Sequence, residues 1–478
     1  MATTAELIGR GARQHGSRPA ILFGDERLTF AEVDDLASRI AGVLRARRLE
    51  RVGLLVDNCL WSVPLDFACA KAGIARVPLN SRLGAAEQRE ILRVAGAGVL
   101  VSDRPTDLPV EVIPLEGLLE LARAASPDDP GLEHAADDPL LLIATSGTTG
   151  RVKLVQHTQG SYAAIVANIL ANLLDPQRDD VMLHAASLIH ASGTFVIPFW
   201  LRGGASAVLS SFVPHEFVAA IARHRVTHTN VVPTMLGALL DVPGDGVDVS
   251  SLRCVVYGAS PMPVALLERA LARWGPIFIQ YYGQTEAPLC ISVLRPDDHH
   301  GDRLLSCGQP AVDAEVRLDP ETGEILVRAP FAAAGYVGDE ELHRATFLQD
   351  GWVRTRDVGR FDAEGYLYLV DRTSDMIVTG GYNVYPREVE NALALHAGVR
   401  ECVVVGAPDE KWVEAVTAFV VADGVGEVEL IEHCRGLLAG YKVPKSVRFV
   451  DEIPKSPVGK LLRRAVRDPL WEGHERPI

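Results

Sequence analysis

The chain has 478 residues, which is too long for one compact core because single domains usually hold about 100–200 residues, so we expect two or three domains. Its 47 Lys and Arg against 62 Asp and Glu give a formal net charge of -15, and this acidic balance argues against a nucleic-acid partner, whose phosphates need a cationic surface. Apolar residues make up 48% and charged residues 23% of the chain, a globular composition that excludes a disordered or fibrous protein.

No targeting or membrane segment is predicted. Residues 1–17 lack an apolar stretch behind a basic one, and nowhere do about 18 apolar residues follow one another. The seven cysteines are far apart and form no CxxC pair, so in a chain of this size we expect reduced, mostly buried thiols and a cytoplasmic protein. The 14 histidines show no paired ligand spacing, which leaves a structural zinc site unsupported. We expect His299 and His300, in a polar loop, on the surface.

Short β-rich runs alternate with helical patterns through most of the chain. Helices are predicted at 161–174 and 263–274, and strands at 52–56, 140–145, 252–258 and 277–283. The alternation favours parallel α/β layers, and the nearly continuous apolar runs favour strands that helices cover on both faces. Residues 126–139 are acidic and contain proline without any period, so we predict a surface loop there.

The pattern changes in the last third of the chain. Strands at 324–328 and 366–370 are separated by the turn sequences PETG and DAEG, which predicts hairpins or a small barrel-like sheet. Beyond them the order helix, strand, strand, helix and basic tail predicts a small α+β domain. We therefore expect a large domain at 1–371 and a small one at 372–478.

The segment 145–153, TSGTTGRVK, directly follows a predicted buried strand. Its hydroxyl residues and glycines let backbone N–H groups and hydroxyls converge on an anion, and its lysine adds a positive charge. It is not a Walker A loop, because only two residues separate Gly147 from Gly150 and Leu154 follows the lysine. We interpret it as a phosphate-binding loop, with a flexible turn as the alternative. The predicted phosphate ligands are Thr145, Ser146, Gly147, Thr148, Thr149, Gly150 and Lys153.

Five segments, in order, resemble the motifs of the adenylate-forming superfamily, which contains acyl-CoA and aryl-CoA synthetases, peptide-synthetase adenylation domains and luciferases. They are 145–153, QYYGQTE at 280–286, 355–372, GGYN at 380–383 and PVGK at 457–460, so the resemblance extends over almost the whole chain. It implies an α/β fold with a large N-terminal domain of layered α/β subdomains and a small β-barrel-like sheet. A small, mobile α+β domain would follow.

The resemblance also implies a two-step reaction. A carboxylate attacks the α-phosphate of ATP to give an acyl adenylate and pyrophosphate, and the thiol of CoA then displaces AMP. The implied catalytic residues are Lys460, Glu286 and Thr285. The Lys460 ammonium would bridge the carboxylate and an α-phosphate oxygen, and Glu286 would hold Mg²⁺. Asp357 would accept hydrogen bonds from the ribose hydroxyls, and Arg372 would lie near the ribose and phosphate.

The remaining nucleotide contacts that the resemblance implies surround the adenine. They would come from Gly258, Ala259, Ser260, Gln280, Tyr281, Tyr282, Gly283 and Thr285. The base would lie between backbone and the Tyr282 ring, although a core tyrosine would give the same pattern. For Lys460 the alternative is a plain basic tail, since Lys455, Arg463 and Arg464 are its neighbours.

The small domain would carry the catalytic lysine to the nucleotide and then rotate for the second step. Ser374, in DRTSD, occupies the implied hinge position, and this sequence resembles the DR-x-SD form of o-succinylbenzoate–CoA ligases. Gly380 and Gly381 would line the channel for the thiol. Val152 and Leu154 stand where proline and glycine are usual, which leaves the closed geometry of the phosphate loop open.

The segment 187–193, SLIHASG, resembles the entrance motif of the family's acid pocket. His190 would flank the carboxylate or gate the pocket, with a packed core histidine as the alternative. The predicted pocket walls are His190, Ala259, Ser260, Tyr281, Gln284, Ala287 and Pro288. No Phe-Asp pair occurs there, so an α-amino acid is disfavoured, and the choice between an aryl and an aliphatic acid stays open.

We therefore expect an ATP- and Mg²⁺-dependent acid–thiol ligase that forms an acyl- or aryl-CoA. One alternative is an adenylate-forming enzyme that loads a carrier protein or activates an unusual acid for a non-thiol acceptor. Another is a non-catalytic nucleotide-binding homologue, which Val152 and Leu154 suggest and the retention of Glu286, Asp357 and Lys460 opposes. The acid, the pathway and the oligomeric state are not predicted.

Overall fold

The computed structural model describes residues 2–127, 132–145, 152–243, 248–260, 262–372, 375–379, 382–409, 411–456 and 461–472. The α-helices are α1 (Thr4–His15), α2 (Phe30–Ala46), α3 (Ser62–Ala72), α4 (Ala85–Ala95), α5 (Leu115–Ala124), α6 (Gln159–Asn172), α7 (Ala191–Thr194), α8 (Val196–Arg202), α9 (Pro214–His224), α10 (Pro233–Leu240), α11 (Val264–Trp274), α12 (Glu340–Thr346), α13 (Pro386–Ala394), α14 (Glu427–Leu437) and α15 (Arg463–Arg467). Of the helices in these residues, none combines the length and apolar character that crossing a bilayer requires.

The strands alternate with these helices for most of the chain. They are β1 (Pro19–Phe23), β2 (Glu26–Thr29), β3 (Arg51–Leu55), β4 (Ala75–Pro78), β5 (Val99–Ser102), β6 (Glu111–Pro114), β7 (Pro139–Thr145), β8 (Lys153–Thr158), β9 (Val181–His184), β10 (Ala205–Val208), β11 (His228–Val231), β12 (Cys254–Gly258), β13 (Phe278–Gln284), β14 (Ala287–Leu294), β15 (Gln309–Pro310), β16 (Glu315–Leu318), β17 (Glu324–Arg328), β18 (Gly335–Val337), β19 (Val353–Phe361), β20 (Leu367–Arg372), β21 (Ile377–Thr379), β22 (Tyr382–Val384), β23 (Val399–Asp409), β24 (Val413–Ala422) and β25 (Ser446–Phe449). Short 3₁₀ helices occupy Pro296–Asp298, Gly301–Leu305 and Asp468–Trp471.

Two large sheets form the body of the molecule. One has seven strands in the order β18-β8-β7-β4-β3-β5-β6, and the other has nine in the order β15-β14-β13-β12-β11-β9-β10-β1-β2. The middle of each sheet is parallel, as the alternating pattern predicted. The hairpins β7–β8 and β13–β14 are antiparallel, and each contains one of the predicted nucleotide motifs.

Helix α6 packs between the two large sheets. It contacts β7 and β8 of the seven-stranded sheet and β14 of the nine-stranded sheet. Thr158 caps its first turn by accepting a hydrogen bond from the backbone N–H of Ser161, a common way to satisfy an N–H at a helix start. Near its end, Asn168 and Asn172 both donate to Asp313, at 2.8 and 2.9 Å. Polar contacts therefore fix both ends of this buried helix.

The last third of the chain contains two smaller sheets. Four antiparallel strands, in the order β16-β17-β19-β20, form the small sheet that the turn sequences predicted. The C-terminal sheet joins β22, β21, β24 and β23, with β25 beside β24, and α13 and α14 accompany it. Strand β20 ends at Arg372 and β21 begins at Ile377. The division between 1–371 and 372–478 stays a prediction.

One surface prediction is wrong. His299 is only 9% exposed, because the 3₁₀ turn Pro296–Asp298 folds it back against the nine-stranded sheet. Its Nδ1 donates to the Arg295 carbonyl oxygen at 2.8 Å, and its Nε2 accepts a hydrogen bond from the Tyr257 hydroxyl at 3.0 Å. His300 is exposed, as predicted. The seven cysteines are free thiols and four of them are buried, as expected.

Candidate active site

A cavity of about 1,210 Å³ opens where the seven-stranded, nine-stranded and four-stranded sheets meet. Strands β7 and β8 line one side, the β13–β14 hairpin lines another, and β19 closes the end nearest the small sheet. Most of the predicted site residues that the structure describes therefore come together here although they are far apart in sequence. The predicted residues that line it are Thr145, Lys153, His190, Ala259, Ser260, Tyr281, Gly283, Gln284, Thr285, Glu286 and Pro288.

One end of the cavity, which we call the mouth, begins where β7 and β8 diverge. Thr145 and Lys153 are direct partners across these strands, so they flank the predicted phosphate loop. The Lys153 side chain is 9% exposed, and burial holds the pKa of its ammonium below the usual range. The nearby Arg356 guanidinium lowers this pKa further, while Glu286 acts in the opposite direction. A buried cation beside another cation is an arrangement suited to binding an anion.

Glu286 lines the cavity at the mouth, within electrostatic reach of Lys153. The Tyr336 hydroxyl of β18 donates a hydrogen bond to Glu286 Oε1, which orients the carboxylate. In proteins Mg²⁺ is commonly held by one or two carboxylates together with substrate phosphate oxygens. An oriented carboxylate beside a cationic mouth fits such a site.

Arg356 is a mouth residue that the sequence analysis did not assign. Its φ is +61°, a left-handed conformation that few non-glycine residues adopt, and the residue lines the cavity. Its backbone N–H donates to Glu324 Oε1 at 2.8 Å, and its guanidinium donates to Thr346 Oγ1 at 3.3 Å. The only available signal was an arginine inside the TRD sequence, next to the predicted ribose ligand Asp357.

The wall near the predicted adenine site depends on close backbone packing. A Cβ atom at Gly258 would lie 2.5 Å from the Tyr281 carbonyl oxygen and 2.8 Å from the Tyr281 ring, so only glycine fits. The next residue, Ala259, has a φ of +63° and lines the cavity with Ser260. A β-bulge between Tyr282 and Gln284 ends the regular pairing of the β13–β14 hairpin at the same level.

Tyr282 and Asp357 form a buried pair behind this wall. The Tyr282 hydroxyl donates to Asp357 Oδ2 at 2.7 Å, and the Asp357 backbone N–H donates to Thr355 Oγ1 at 3.1 Å. Their side chains are 7% and 6% exposed. Burial, and next the Asp357 carboxylate, raise the pKa of the Tyr282 hydroxyl well above its usual value. The hydroxyl therefore stays protonated and keeps donating.

His190, which was predicted for the acid pocket, lines the cavity. Asn80 Nδ2, a donor, lies 3.3 Å from His190 Nε2, so this nitrogen accepts and the neutral ring carries its proton on Nδ1. Burial lowers the pKa of His190 to about 4, which keeps the ring neutral near pH 7. Next to it the Gln284 side chain lines the cavity, and its Nε2 has no hydrogen-bond partner in the part of the chain that is described.

Several predicted residues do not line the cavity. They are Gly258, Gln280, Tyr282, Ala287 and Asp357, which lie buried behind its walls. Arg372 ends β20 directly opposite Asp357. The predictions for Ser146, Gly147, Thr148, Thr149, Gly150, Ser374, Gly380, Gly381 and Lys460 fall outside the described residues. In the C-terminal part, Arg464 is close enough to contribute to the lowered pKa of Lys153.

Comparison with known proteins shows the family. A family model described as "AMP-binding enzyme" matches residues 9–337, and one described as "AMP-binding enzyme C-terminal domain" matches residues 388–460. The chain is 39% identical over 480 residues to a feruloyl-CoA synthase of Amycolatopsis sp, covering 96% of this chain and 97% of that protein. It is 36% identical over 521 residues to the medium/long-chain-fatty-acid–CoA ligase FadD8 of Mycobacterium tuberculosis, covering 99% and 90%.

A solved structure agrees with these relatives. The o-succinylbenzoate CoA synthetase MenE from Bacillus subtilis, in complex with the acyl-adenylate intermediate OSB-AMP, superposes with a TM-score of 0.86 at 31% identity, covering 97% of this chain and 98% of that one. The chain therefore belongs to the AMP-binding enzyme family. The resemblance to adenylate-forming enzymes and the expected α/β fold with a large and a small domain are confirmed.

Proposed function

We propose that this chain is an AMP-forming acid–CoA ligase, which activates a carboxylic acid with ATP and passes the acyl group to the thiol of CoA. The observation that carries the proposal is one continuous cavity that joins the mouth, with Lys153, Arg356 and Glu286, to a largely apolar chamber beyond His190. The charged residues of the mouth suit the phosphates of ATP, and the apolar chamber suits the carbon skeleton of an acid. The feruloyl-CoA synthase and fatty-acid–CoA ligase relatives are named for reactions of this kind.

In the first step a carboxylate oxygen bonds to the α-phosphorus of ATP while the bond to pyrophosphate breaks. Both reactants are anions, so the site must neutralise charge and align the groups more than move protons. Lys153 and Arg356 would contact the β- and γ-phosphates together with the loop of residues 145–150. Glu286 would hold Mg²⁺, which supplies further charge neutralisation at the phosphate oxygens when bound.

The adenosine would bind beside Ala259 and Tyr281, above the buried Tyr282–Asp357 pair. Asp357 would accept the ribose hydroxyl protons, and the Tyr282 hydroxyl, which donates to it at 2.7 Å, would hold the carboxylate in place. Because both residues lie behind the cavity wall, the wall must shift slightly for the ribose to reach Asp357. We therefore assign Tyr282 a positioning role, through Asp357, in addition to any contact with the base.

The acid would place its carboxylate between His190 and the α-phosphate. The neutral His190 ring accepts from Asn80 at Nε2, so its Nδ1–H is available to donate to a carboxylate oxygen. Lys460 would bridge the same carboxylate and the α-phosphate. Its sequence position, four residues before Arg464, supports this role because the charge of Arg464 acts on Lys153.

In the second step the CoA sulfur bonds to the acyl carbon, AMP leaves with the bonding electrons, and the thiol proton passes to solvent. Gly380 and Gly381 would let the narrow thiol-bearing arm pass close to backbone after the small domain rotates about Ser374. We expect Gly381→Leu to retain acid-dependent pyrophosphate release and to lose most thioester formation. The matched control is Gly440→Leu, at a glycine where a Cβ would meet no atom within 4 Å. Equal loss of both half-reactions in Gly381→Leu would contradict a thiol channel there.

The proposed function is tested by trapping the activated acid. Purified protein, ATP and Mg²⁺ are incubated with aryl, short aliphatic and long aliphatic acids, with hydroxylamine as the acceptor, and pyrophosphate and hydroxamate are measured. We expect acid-dependent release of pyrophosphate and formation of hydroxamate. When CoA replaces hydroxylamine, we expect a thioester to form instead. If pyrophosphate is released and hydroxamate forms but no thioester forms with CoA, the acceptor is another group, such as that of a carrier protein. No release with any acid would contradict the ligase.

A further inference from the structure

A row of three residues on adjacent strands forms part of the cavity wall, and we call it the floor. Arg76 of β4 pairs directly with Leu141 of β7, and Leu141 pairs directly with His157 of β8. Direct partners in a sheet project from the same face, and all three line the cavity. Thr145 lies four residues beyond Leu141 along β7, so the floor is about 13 Å from the start of the phosphate loop, at about 3.3 Å per residue.

A buried ion pair belongs to this floor. Asp66 of α3 contacts Arg76 Nε, and the Arg76 guanidinium lies 5.2 Å from the centre of the Tyr162 ring. The Arg76 side chain is 7% exposed and that of Asp66 is 35% exposed. Asp66 lines the cavity, so its accessible surface is open to a molecule bound there. The second carboxylate oxygen, Oδ2, can therefore accept a hydrogen bond from a molecule in the cavity.

His157 lies at the same level of the wall but offers no second acceptor to the cavity. Its Nε2 lies 2.9 Å from the Thr285 carbonyl oxygen, which can only accept, so Nε2 carries the proton. Burial lowers the pKa of this histidine to about 4, so the ring is neutral near pH 7 and Nδ1 is an acceptor. His157 is 1% exposed, and Nδ1 has no hydrogen-bond partner among the described residues. This nitrogen is also closed off from the cavity, so it does not reach a molecule bound there and is not part of the proposed contact.

We propose that the Asp66–Arg76 pair at this floor recognises a neutral hydrogen-bond donor, a hydroxyl group, at the end of the substrate acid remote from its carboxylate. The inference rests on the proposed function, which places the reacting carboxylate at the mouth. The walls between mouth and floor are mainly apolar, with Ile143, Ile165 and Val196 among them. The substrate class is thus an acid with an apolar middle and a terminal hydroxyl, such as a hydroxyaryl acid.

The charges at the floor argue for a hydroxyl over a second carboxylate. Asp66 already neutralises Arg76, so a distal carboxylate would bring a second anion to a balanced pair and would face the Asp66 oxygen as a like charge. A methyl group would leave the Asp66 oxygen without a donor in a water-poor site, which costs free energy. A hydroxyl donates to the acceptor and adds no charge.

The test compares matched acids on the wild-type protein. The pairs are 4-hydroxycinnamate with cinnamate, and an ω-hydroxy fatty acid with its parent acid, with an α,ω-dicarboxylate of equal length as a third comparison. Acid-dependent pyrophosphate release gives kcat/KM for each. We expect the hydroxylated member of at least one pair to be favoured about 10²-fold or more, as is typical of sites built to hydrogen-bond a substrate hydroxyl.

A double variant then tests the named residues. Asp66→Leu with Arg76→Leu removes both charges together, which avoids leaving one buried charge alone. It should lose at least nine-tenths of the preference for hydroxylated acids, measured as the ratio of kcat/KM within each pair. The matched control removes the Lys71–Asp34 pair, which joins α3 to α2 and whose members do not line the cavity, and should retain the preference. Asp66→Leu with Arg76→Met, which keeps more of the volume of the arginine and leaves no buried charge, is the second variant if the first does not fold.

The outcomes separate the two proposals. A wild-type protein that activates acids without discriminating the hydroxylated members, or that prefers the dicarboxylate, overturns the hydroxyl floor and leaves the ligase standing. A preference that survives in both Asp66 variants overturns the assignment of the floor. Absence of activation with every acid overturns the ligase itself.

Discussion

At the mouth of the cavity two cations, Lys153 and Arg356, lie close enough for one to lower the pKa of the other, whereas at the floor Arg76 lies against the oppositely charged Asp66. Both regions are buried and both contain a carboxylate. Two cations held close together are stabilised when an anion binds between them. A cation and an anion in contact already neutralise each other, so they can offer a ligand only hydrogen bonds. The comparison teaches that the pairing of charges, more than their number, decides which ligand each end can take.

The largest effect is expected from the third cation proposed for the mouth. Lys460→Ala should reduce acid-dependent pyrophosphate exchange by at least about 10²-fold, because the variant loses an ammonium that contacts developing charge in the transition state. ATP binding, measured by equilibrium titration, should change little. Lys455→Ala is the matched control, since Lys455 forms a partly exposed pair with Glu401 at 2.6 Å in the same tail. Unchanged exchange in Lys460→Ala would remove this residue from the mechanism.

A smaller effect is expected from the second cation. Arg356→Ala should raise the KM for ATP about tenfold with a lesser change in kcat, because a single charged contact to a phosphate contributes on the order of 1–3 kcal/mol. Arg356→Gly suits the positive φ but also lacks the charge, so it should behave like the alanine variant, whereas Arg356→Lys should recover part of the affinity. If the glycine variant binds ATP as tightly as the wild type, the effect comes from the backbone and not from the charge.

The smallest effect concerns histidines that burial keeps neutral around the cavity. The pKa values of His157, His184 and His190 are lowered to about 4, 3 and 4, mainly by burial. In the unfolded chain each would take up a proton near pH 6.5, so below that pH the unfolded state binds more protons and stability falls. Between pH 7 and pH 5 we expect each to contribute about 1–2 kcal/mol of destabilisation.

This pH dependence is measured from thermal unfolding midpoints at pH 7 and pH 5. His184 is fully buried between the hydroxyls of Ser192 and Ser206, and His184→Asn removes its titration while retaining a hydrogen-bonding side chain. The decrease in midpoint should be smaller in this variant than in the wild type. Equal decreases in the two proteins would mean that His184 is not among the groups that control acid stability.

The mouth was predictable from the sequence and the floor was not. Lys153 and Glu286 belong to short linear segments whose residue types and spacing indicate phosphate and Mg²⁺ chemistry by themselves. Asp66 and Arg76 are ten residues apart on a helix and a strand, within runs that look like ordinary core. Only the register of β4, β7 and β8 brings Arg76 level with His157.

Three further residues occupy positions that the sequence did not predict. Arg356 was overlooked because its backbone conformation, and not its neighbours in sequence, turns it to the cavity. His299 was expected on the surface because polar neighbours surround it, but a short helical turn buries it against Tyr257. Tyr282 was assigned to the base, yet its hydroxyl contacts Asp357 behind the wall. In each case a local backbone geometry decided the outcome.

The spacing of four residues along β7 between Leu141 and Thr145 has an evolutionary consequence. Substitutions at positions 66 and 76 can alter which substrate tail the cavity accepts without changing the residues at the start of the phosphate loop, about 13 Å away along β7. A protein in which these two regions are separate can change its acid substrate through a few substitutions and keep the same reaction.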